Sequence, residues 1–341
     1  MAAIEIRNLN KHFGALHAVD GVTLSVRDGE LLVLLGSSGS GKTTLLRMIA
    51  GLERPTSGEI SIGGERVDGD VPPRARGIAM VFQSYALYPH RTVFQNIAFP
   101  LEASRTPRAQ IAEKVRWAAE LFGIARYLDR YPRQLSGGER QRVALCRAVV
   151  RDPKVFLLDE PLANLDAKLR HTARDDLKRL QRRIQTTTIY VTHDQIEAMG
   201  LGDRIVVMEH GKIRQVGTPR EVYEDPADTF VATFVGQPPM NLLTYDHQLI
   251  GFRPEQFLPR GVFGATEPLR TFPFAVRRVE YLGSDRYVYG TVPGASGDAT
   301  IIAKLHGHIA LEIAEGQTHE FAVPERSLRY FDAASGARLP R

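Results

Sequence analysis

Residues 31–52 read LLVLLGSSGSGKTTLLRMIAGL, and the fold turns on them. The apolar run LLVLL at 31–35 reads as a strand, it ends at a glycine-rich loop, and TTLLRMIAGL continues as a helix. Strand, glycine loop and helix together are the setting a phosphate-binding loop requires, and the spacing G-x-x-x-x-G-K-T is complete in GSSGSGKT at 36–43. Gly36, Gly39 and Gly41 let the backbone curl around phosphates, with Ser37, Ser38 and Ser40 between them and Thr44 just beyond. Lys42 reaches the β and γ phosphates, and Thr43 offers its hydroxyl to Mg²⁺.

Farther along, LSGGERQR at 135–142 places Ser136, Gly137 and Gly138 at the opening turn of a helix. Free backbone N–H groups and the helix dipole make such a turn a second anion cradle. Other strands point the same way. KVFLLD at 154–159 fits a strand buried in a parallel sheet, and it delivers Asp159 and Glu160 at its carboxyl end, the side on which open parallel sheets bind ligands. Asp159 then faces a metal, directly or through water, and Glu160 holds an attacking water. TTTIYVTH at 186–193 is a β-branched strand ending on His193, which surfaces beside Glu160 if the two strands share a sheet. Gln83, in MVFQSYALYPH, follows another apolar strand within reach of both metal and water.

The opening residues IEIRNLNKHF and VTLSVRDGE alternate as antiparallel strands, and from Tyr85 to Arg133 the pattern is helical. Within AQIAEKVRWAAELFGI, Trp117 is expected on the apolar side, in the core. The helix starting near Asp166 carries Leu169, Ala173, Leu177, Leu180 and Ile184 on one stripe, which leaves its arginines and lysines as a solvated face. At VGQPPMN, 235–241, the composition breaks, and beyond it FAVRRVEYLG, RYVYGTV and TIIAKL read as short strands of a small all-β barrel or sandwich.

Composition excludes several classes. The chain has 341 residues, 43% hydrophobic and 24% charged, as in an ordinary globular protein, and its 44 basic and 39 acidic residues leave a charge of only +5. So weak and scattered an excess describes a solvated surface rather than a nucleic-acid binder. The single Cys146 excludes an intramolecular disulfide and is expected as a small core residue. With no stretch of roughly 18 apolar residues and no secretory leader, the chain is expected in the cytosol, with other chains doing any membrane spanning.

The series GSSGSGKTT, VFQ, LSGGERQRVALCRA, VFLLDEP, ANLDAKLR and YVTHD, in that order over residues 1 to about 235, resembles the ATP-binding subunit of an ABC transporter. YALYPHRTVFQNIAFPL and the segment from GDRIVVMEHGKI to VGQPPMN are similar to carbohydrate-uptake importers of the maltose and glycerol-3-phosphate type. GFRPEQ at 251–256 resembles the start of their C-terminal regulatory segment. The resemblance implies an α/β P-loop ABC ATPase domain, residues 1–235, with antiparallel β and helical subdomains (the latter about 85–135). It also implies a small all-β OB-like (TOBE) regulatory domain at 236–341.

Two copies pack head to tail in that family, each ATP lying between one chain's P-loop and the other's signature turn, so Ser136, Gly137 and Gly138 would serve the partner's nucleotide. ATP and Mg²⁺ are the implied cofactors, with Thr43, Gln83 and Asp159 toward the metal and Glu160, His193 and Gln83 as the catalytic set. Phe13 takes the place of the ring that stacks on adenine, usually tyrosine. Leu165 and Asp166 fit the loop that crosses the dimer, Ala163 stands where serine is frequent, and Glu139 where glutamine is.

Implied partners are a second copy, two integral membrane permease subunits contacted around Tyr85, Leu87, Tyr88 and Pro89, and indirectly an extracytoplasmic solute-binding protein. The chain would lie peripherally on the cytoplasmic face of the inner membrane. A sugar or glycerol phosphate leads as solute, with polyamine, phosphonate or ferric iron as alternatives. The rival function is an ABC ATPase acting on nucleic acid or ribosomes, with Phe272, Phe274, Tyr281, Tyr287 and Tyr289 as stacking platforms. Alternating aromatics in a strand are more often core and cross-strand pairs, and no nucleic acid is expected. His306 and His308 lack a clear third metal ligand.

Overall fold

The computed structural model describes residues 2–340 apart from 68, 70, 246, 247, 296–298, 308 and 310. Two antiparallel strands open the chain, β1 (Ile4–Phe13) and β2 (Leu16–Val26), paired from Ile4↔Val26 to Phe13↔Leu16. Ile4 and Ile6 of β1 are buried as alternation requires, and Leu9 is buried because a register shift between Ile6 and Leu9, with Asn8 at φ 45°, changes the phase of the strand. After β3 (Leu31–Gly36) and α1 (Lys42–Ala50), the strands β4 (Ser57–Ile62) and β5 (Glu65–Arg66) join the first two in a sheet ordered β2-β1-β4-β5.

The second sheet positions the site. It contains β3, β6 (Ile78–Val81), β7 (Val155–Asp159), β8 (Thr187–Thr192), β9 (Arg204–Glu209) and β10 (Lys212–Gly217), in the order β10-β9-β3-β8-β7-β6. All but the β9–β10 pair run parallel. Every residue of β3, β7 and β8 is buried, which explains why these strands read as continuous apolar or β-branched runs instead of alternating. The order β3-β8-β7-β6 then sets the glycine loop, His193, Asp159–Glu160 and Gln83 side by side along one sheet edge.

Between β6 and β7 lie α2 (Val93–Ala103), α3 (Arg108–Leu121) and α4 (Gly137–Val149). Trp117 corrects its expectation. The buried face of α3 is Ile111, Val115, Ala118 and Ala119, and at ~100° per residue Trp117 points away from Val115, leaving it 42% exposed. Cys146 is buried and its thiol donates to Ala118 O at 3.3 Å, so it is the core residue foreseen.

Next comes α5 (Ala167–Ile184), in which Leu177 is buried and Ala173, Leu180 and Ile184 are half-buried, whereas Leu169, in the first turn, is exposed. Gln181 joins that stripe by donating to Gly29 O at 2.9 Å. The short α6 (Gln195–Leu201) precedes β9. No helix of the described residues is long and apolar enough to cross a membrane.

The chain divides into compact units Met1–Pro219 and Arg220–Arg341, upstream of the composition break at 235. The reason is Arg253, of the GFRPEQ stretch. Buried, it donates through Nε to Tyr223 O (3.0 Å) and through Nη1 to Ala232 O (3.1 Å), so α7 (Pro219–Glu224) and α8 (Thr229–Phe234) are held by the second unit.

That unit has β11 (Asn241–Tyr245), β12 (Gln248–Phe252), β13 (Leu258–Pro259), β14 (Leu269–Leu282), β15 (Asp285–Thr291), β16 (Ile301–His306), β17 (Thr318–Pro324) and β18 (Arg329–Phe331). They form sheets ordered β11-β12-β18 and β13-β17-β14-β15-β16. Phe252, Phe257, Phe272, Phe274 and Phe321 fill its core with ring centroids 4.9 to 6.2 Å apart. Phe272 and Phe274 are therefore core and not platforms, while Tyr281 is 73% exposed and Tyr289 donates to Glu280 at 2.9 Å. His306 pairs with Asp285 across the β15–β16 register at 2.8 Å; His308 lies outside the described residues.

Candidate functional site

The glycine loop leaves β3 at Gly36, where a Cβ would lie 2.4 Å from Met208 O, a separation only glycine tolerates. Gly39 and Gly41 have φ of +80° and +98°, and Gly41 caps α1. Ser37, Ser38 and Ser40 lie within the loop, and Thr44 follows in the first turn of α1. The loop closes on Lys42, whose ammonium donates to Gly36 O (2.9 Å), Ser37 O (2.7 Å) and Ser40 Oγ (3.2 Å). Burial lowers the Lys42 pKa, against the pull of the Glu160 and Asp159 carboxylates.

Beside Lys42 on α1, Thr43 Oγ1 donates to Asp159 Oδ1 at 2.9 Å. Burial raises the Asp159 pKa, and the Thr43 hydrogen bond opposes it. Glu160 sits just past β7 at φ 45°, a left-handed conformation costing a non-glycine residue ~1–3 kcal/mol, and its N–H donates to Val191 O (3.1 Å) on β8. Its two oxygens diverge: Oε1 lies 3.1 Å from His193 Nδ1, and Oε2 accepts from Gln83 Nε2 at 3.3 Å. The three strand-end residues expected from sequence thus meet at one carboxylate.

The signature turn closes on itself as well. Ser136 Oγ accepts from Glu139 N (3.3 Å) while Ser136 N donates to Glu139 Oε2 (2.7 Å), a capping box. These bonds, with the Tyr127 hydroxyl, hold the Glu139 carboxyl below its ordinary pKa. Glutamine at this position would fill the same box without the charge.

Leu165 is buried beneath the turn, so near that a Cβ on Gly137 would meet its Cδ2 at 3.4 Å. Asp166 caps α5, accepting from Leu169 N at 2.9 Å. Both side chains are therefore engaged within their own chain, although Asp166 is exposed, as is Asn164, which donates to Gln83 O at 2.7 Å. Phe13 is 48% exposed, with the Lys11 ammonium 4.7 Å from its ring centre. Of the four expected docking residues, Tyr85 is buried, Leu87 and Tyr88 are half-buried and Pro89 is exposed.

Sequence reasoning missed the residues that hold these loops. Buried Asn96 accepts from Tyr88 N (2.8 Å) and donates to Tyr88 O, Arg91 O and Thr92 O (3.1, 3.1 and 2.9 Å). Arg147, on α4, donates to both Tyr85 O and Ala86 O at 2.7 Å. Buried Glu197 accepts from Tyr190 (2.7 Å) and Thr192 (2.8 Å) on β8, bracing the strand that ends at His193. Each lies on a helix at a position whose spacing signals nothing but helix.

Comparison with known proteins gives one consistent outcome. The ABC transporter family profile matches residues 19–163. The sn-glycerol-3-phosphate import ATP-binding protein of Rhizobium meliloti is 49% identical, covering 99% of this chain and 100% of that protein. The trehalose/maltose import ATP-binding protein of Thermococcus litoralis is 47% identical over 99% of this chain and 100% of its own. Among solved structures, a dimeric ATP-binding cassette in a post-hydrolysis state bound to ADP and Pi is 29% identical. It covers 64% of this chain and 99% of its own, with a TM-score of 0.57.

Proposed function

Because this chain belongs to the ATP-binding subunits of ABC transporters, we propose that it hydrolyses ATP to energise import of a sugar or glycerol-phosphate-type solute. It is an ATPase of the import type; the residue assignments, partners and solute class are our inference. The observation that carries them is the convergence of Gln83 and His193 on Glu160, beside the Thr43–Asp159 pair and the glycine loop.

In this scheme the loop and Lys42 exchange their internal hydrogen bonds for the phosphates, and Phe13 stacks on adenine; stacking needs only a ring face. Thr43, Asp159 and Gln83 offer hard oxygen ligands, and the buried Asp159 carboxylate, its pKa raised, favours a cation beside it, so the set fits Mg²⁺. Bound there, the cation would neutralise phosphate charge. Glu160 orients and polarises the attacking water, and His193 and Gln83 fix the direction of its carboxylate.

Ser136, Gly137 and Gly138 serve a second copy's nucleotide, which gives an ATP-sandwich homodimer with two sites made of two halves each. ATP shifts the population toward the closed dimer, because it bridges faces that only that state brings together. Closure acts on two membrane permease subunits, docked at the segment around Pro89, with a solute-binding protein outside. The chain is then peripheral to the cytoplasmic face of the membrane, and the second unit, with its five-stranded antiparallel sheet, is an OB-like regulatory domain.

The test is a pull-down with tagged Glu160→Gln, ATP and Mg²⁺ from gently solubilised cells. Recovery of multi-spanning membrane proteins supports the proposal. Recovery of RNA, DNA or ribosomes in their place overturns it.

A further inference from the structure

Tyr85 and Ala86 are the only adjacent non-glycine residues with positive φ among the described residues, at 61° and 47°. They form the corner that follows Gln83 and Ser84, where Tyr85 N donates to Phe82 O at 2.9 Å. Two consecutive left-handed L-residues persist only where their surroundings over-determine them. The group that does so here is Arg147, whose guanidinium forks onto both corner carbonyls at 2.7 Å. Its donors are fixed in one plane, so a pair of neighbouring carbonyls is held as a unit, which a lysine could not do. Downstream Asn96 pins Tyr88, Arg91 and Thr92, and upstream Asn164 holds Gln83 O, which leaves Arg147 as the side chain that grips the two corner carbonyls themselves.

Arg147 belongs to α4, the helix whose first turn is Ser136–Gly137–Gly138. We propose that Arg147 is a positioning residue that latches the strained corner behind Gln83 to the signature helix, so that the helix engaging the partner's nucleotide also sets the reach of this chain's own Gln83 toward Glu160. The latch itself is a property of the single chain; its meaning for hydrolysis rests on the function proposed above.

The mechanism predicts its own rescue. If Arg147 is needed to hold Ala86 left-handed, a glycine at 86, which adopts that conformation at no steric cost, lessens the need. Ala86 is exposed, so Ala86→Gly removes one methyl from the surface and nothing from the core.

The experiment compares wild type, Arg147→Ala, Arg147→Lys, Ala86→Gly and Arg147→Ala/Ala86→Gly by two readouts. One is amide hydrogen exchange of residues 82–92 in nucleotide-free protein; the other is kcat and KM for ATP. Arg147→Ala should speed exchange in that segment and lower kcat about tenfold or more with KM little changed, as expected when a catalytic group is misplaced by an ångström or so. Arg147→Lys should fall between, and the double variant should regain most of both.

A double variant as impaired as Arg147→Ala, in exchange and in kcat, overturns the proposal, as does an Arg147→Ala protein with unchanged exchange at 82–92. Should Arg147→Ala fold poorly, the Arg147→Lys and Arg147→Lys/Ala86→Gly pair carries the same comparison. Absence of ATP hydrolysis by wild type would refute the function proposed above, while the exchange data would still judge the latch.

Discussion

Glu160→Gln should separate nucleotide binding from turnover. In the free chain the carboxylate spends one oxygen on His193 (3.1 Å) and the other on Gln83 (3.3 Å), and glutamine has nearly the same shape. What the substitution removes is basicity, and it turns one of the two acceptors into a donor. Loss of a positioned general base costs typically 10²–10⁴-fold, and 100-fold corresponds to about 2.7 kcal/mol of barrier. Binding should stay equal or tighten, because a negative charge near the phosphate site is lost while the Lys42 and glycine-loop donors are untouched. Phosphate release at saturating ATP and Mg²⁺, alongside binding of a fluorescent ATP analogue, measures both. Turnover within about threefold of wild type, with binding intact, would refute the assignment of Glu160 to the attacking water.

Four other outcomes follow from the same geometry. The raised Asp159 pKa means the folded state holds a proton that the unfolded chain releases first, so nucleotide-free stability falls as pH rises from the ordinary aspartate value through the raised one. Asp159→Asn should therefore flatten that part of the pH–Tm profile and raise Tm at neutral pH, while abolishing Mg²⁺-dependent turnover; an unaltered profile counts against it. Phe13→Ala should weaken ATP binding about fivefold, from a stacking contribution of ~1 kcal/mol, with Phe13→Tyr neutral by titration calorimetry. Ser136→Ala should cost ~1 kcal/mol of stability through the lost cap and leave the chain's own ATP binding unchanged, but stop ATP-dependent dimerisation as read by light scattering. For docking, Pro89→Asp is a cleaner probe than charge reversal at Arg91, whose guanidinium lies 4.7 Å from the Phe99 ring centre. It should abolish solute uptake while soluble ATPase activity persists.

The candidate site was legible in sequence because its residues are delivered by strand ends. A buried strand followed at once by a polar residue is a local signal, and the glycine loop, Asp159, Glu160 and His193 all carry it. Their adjacency was conditional on a shared sheet, which the order β3-β8-β7-β6 supplies. What stayed hidden is held by long-range hydrogen bonds. Nothing near Arg147 in sequence announces that it grips carbonyls 61 and 62 residues away, nor that Arg253 reaches back to Tyr223 and draws the domain division upstream of the Pro-rich break. Trp117 was misplaced for a simpler reason. Hydrophobicity suggested the core, but helical phase, set by Ile111 and Val115, decides the face.

The Glu139 carboxylate already sits on the signature turn, taking the Ser136 N–H at 2.7 Å. An anion that comes to this turn meets a like charge and must displace a partner before gaining one of its own. The glycine loop is the reverse case: the Lys42 ammonium rests on Gly36 O, Ser37 O and Ser40 Oγ, and as a donor it adds to the loop's N–H groups and does not compete with them. One cradle thus attracts an anion outright and the other admits it only in exchange for its own carboxylate, so an order of occupation is written into the single chain.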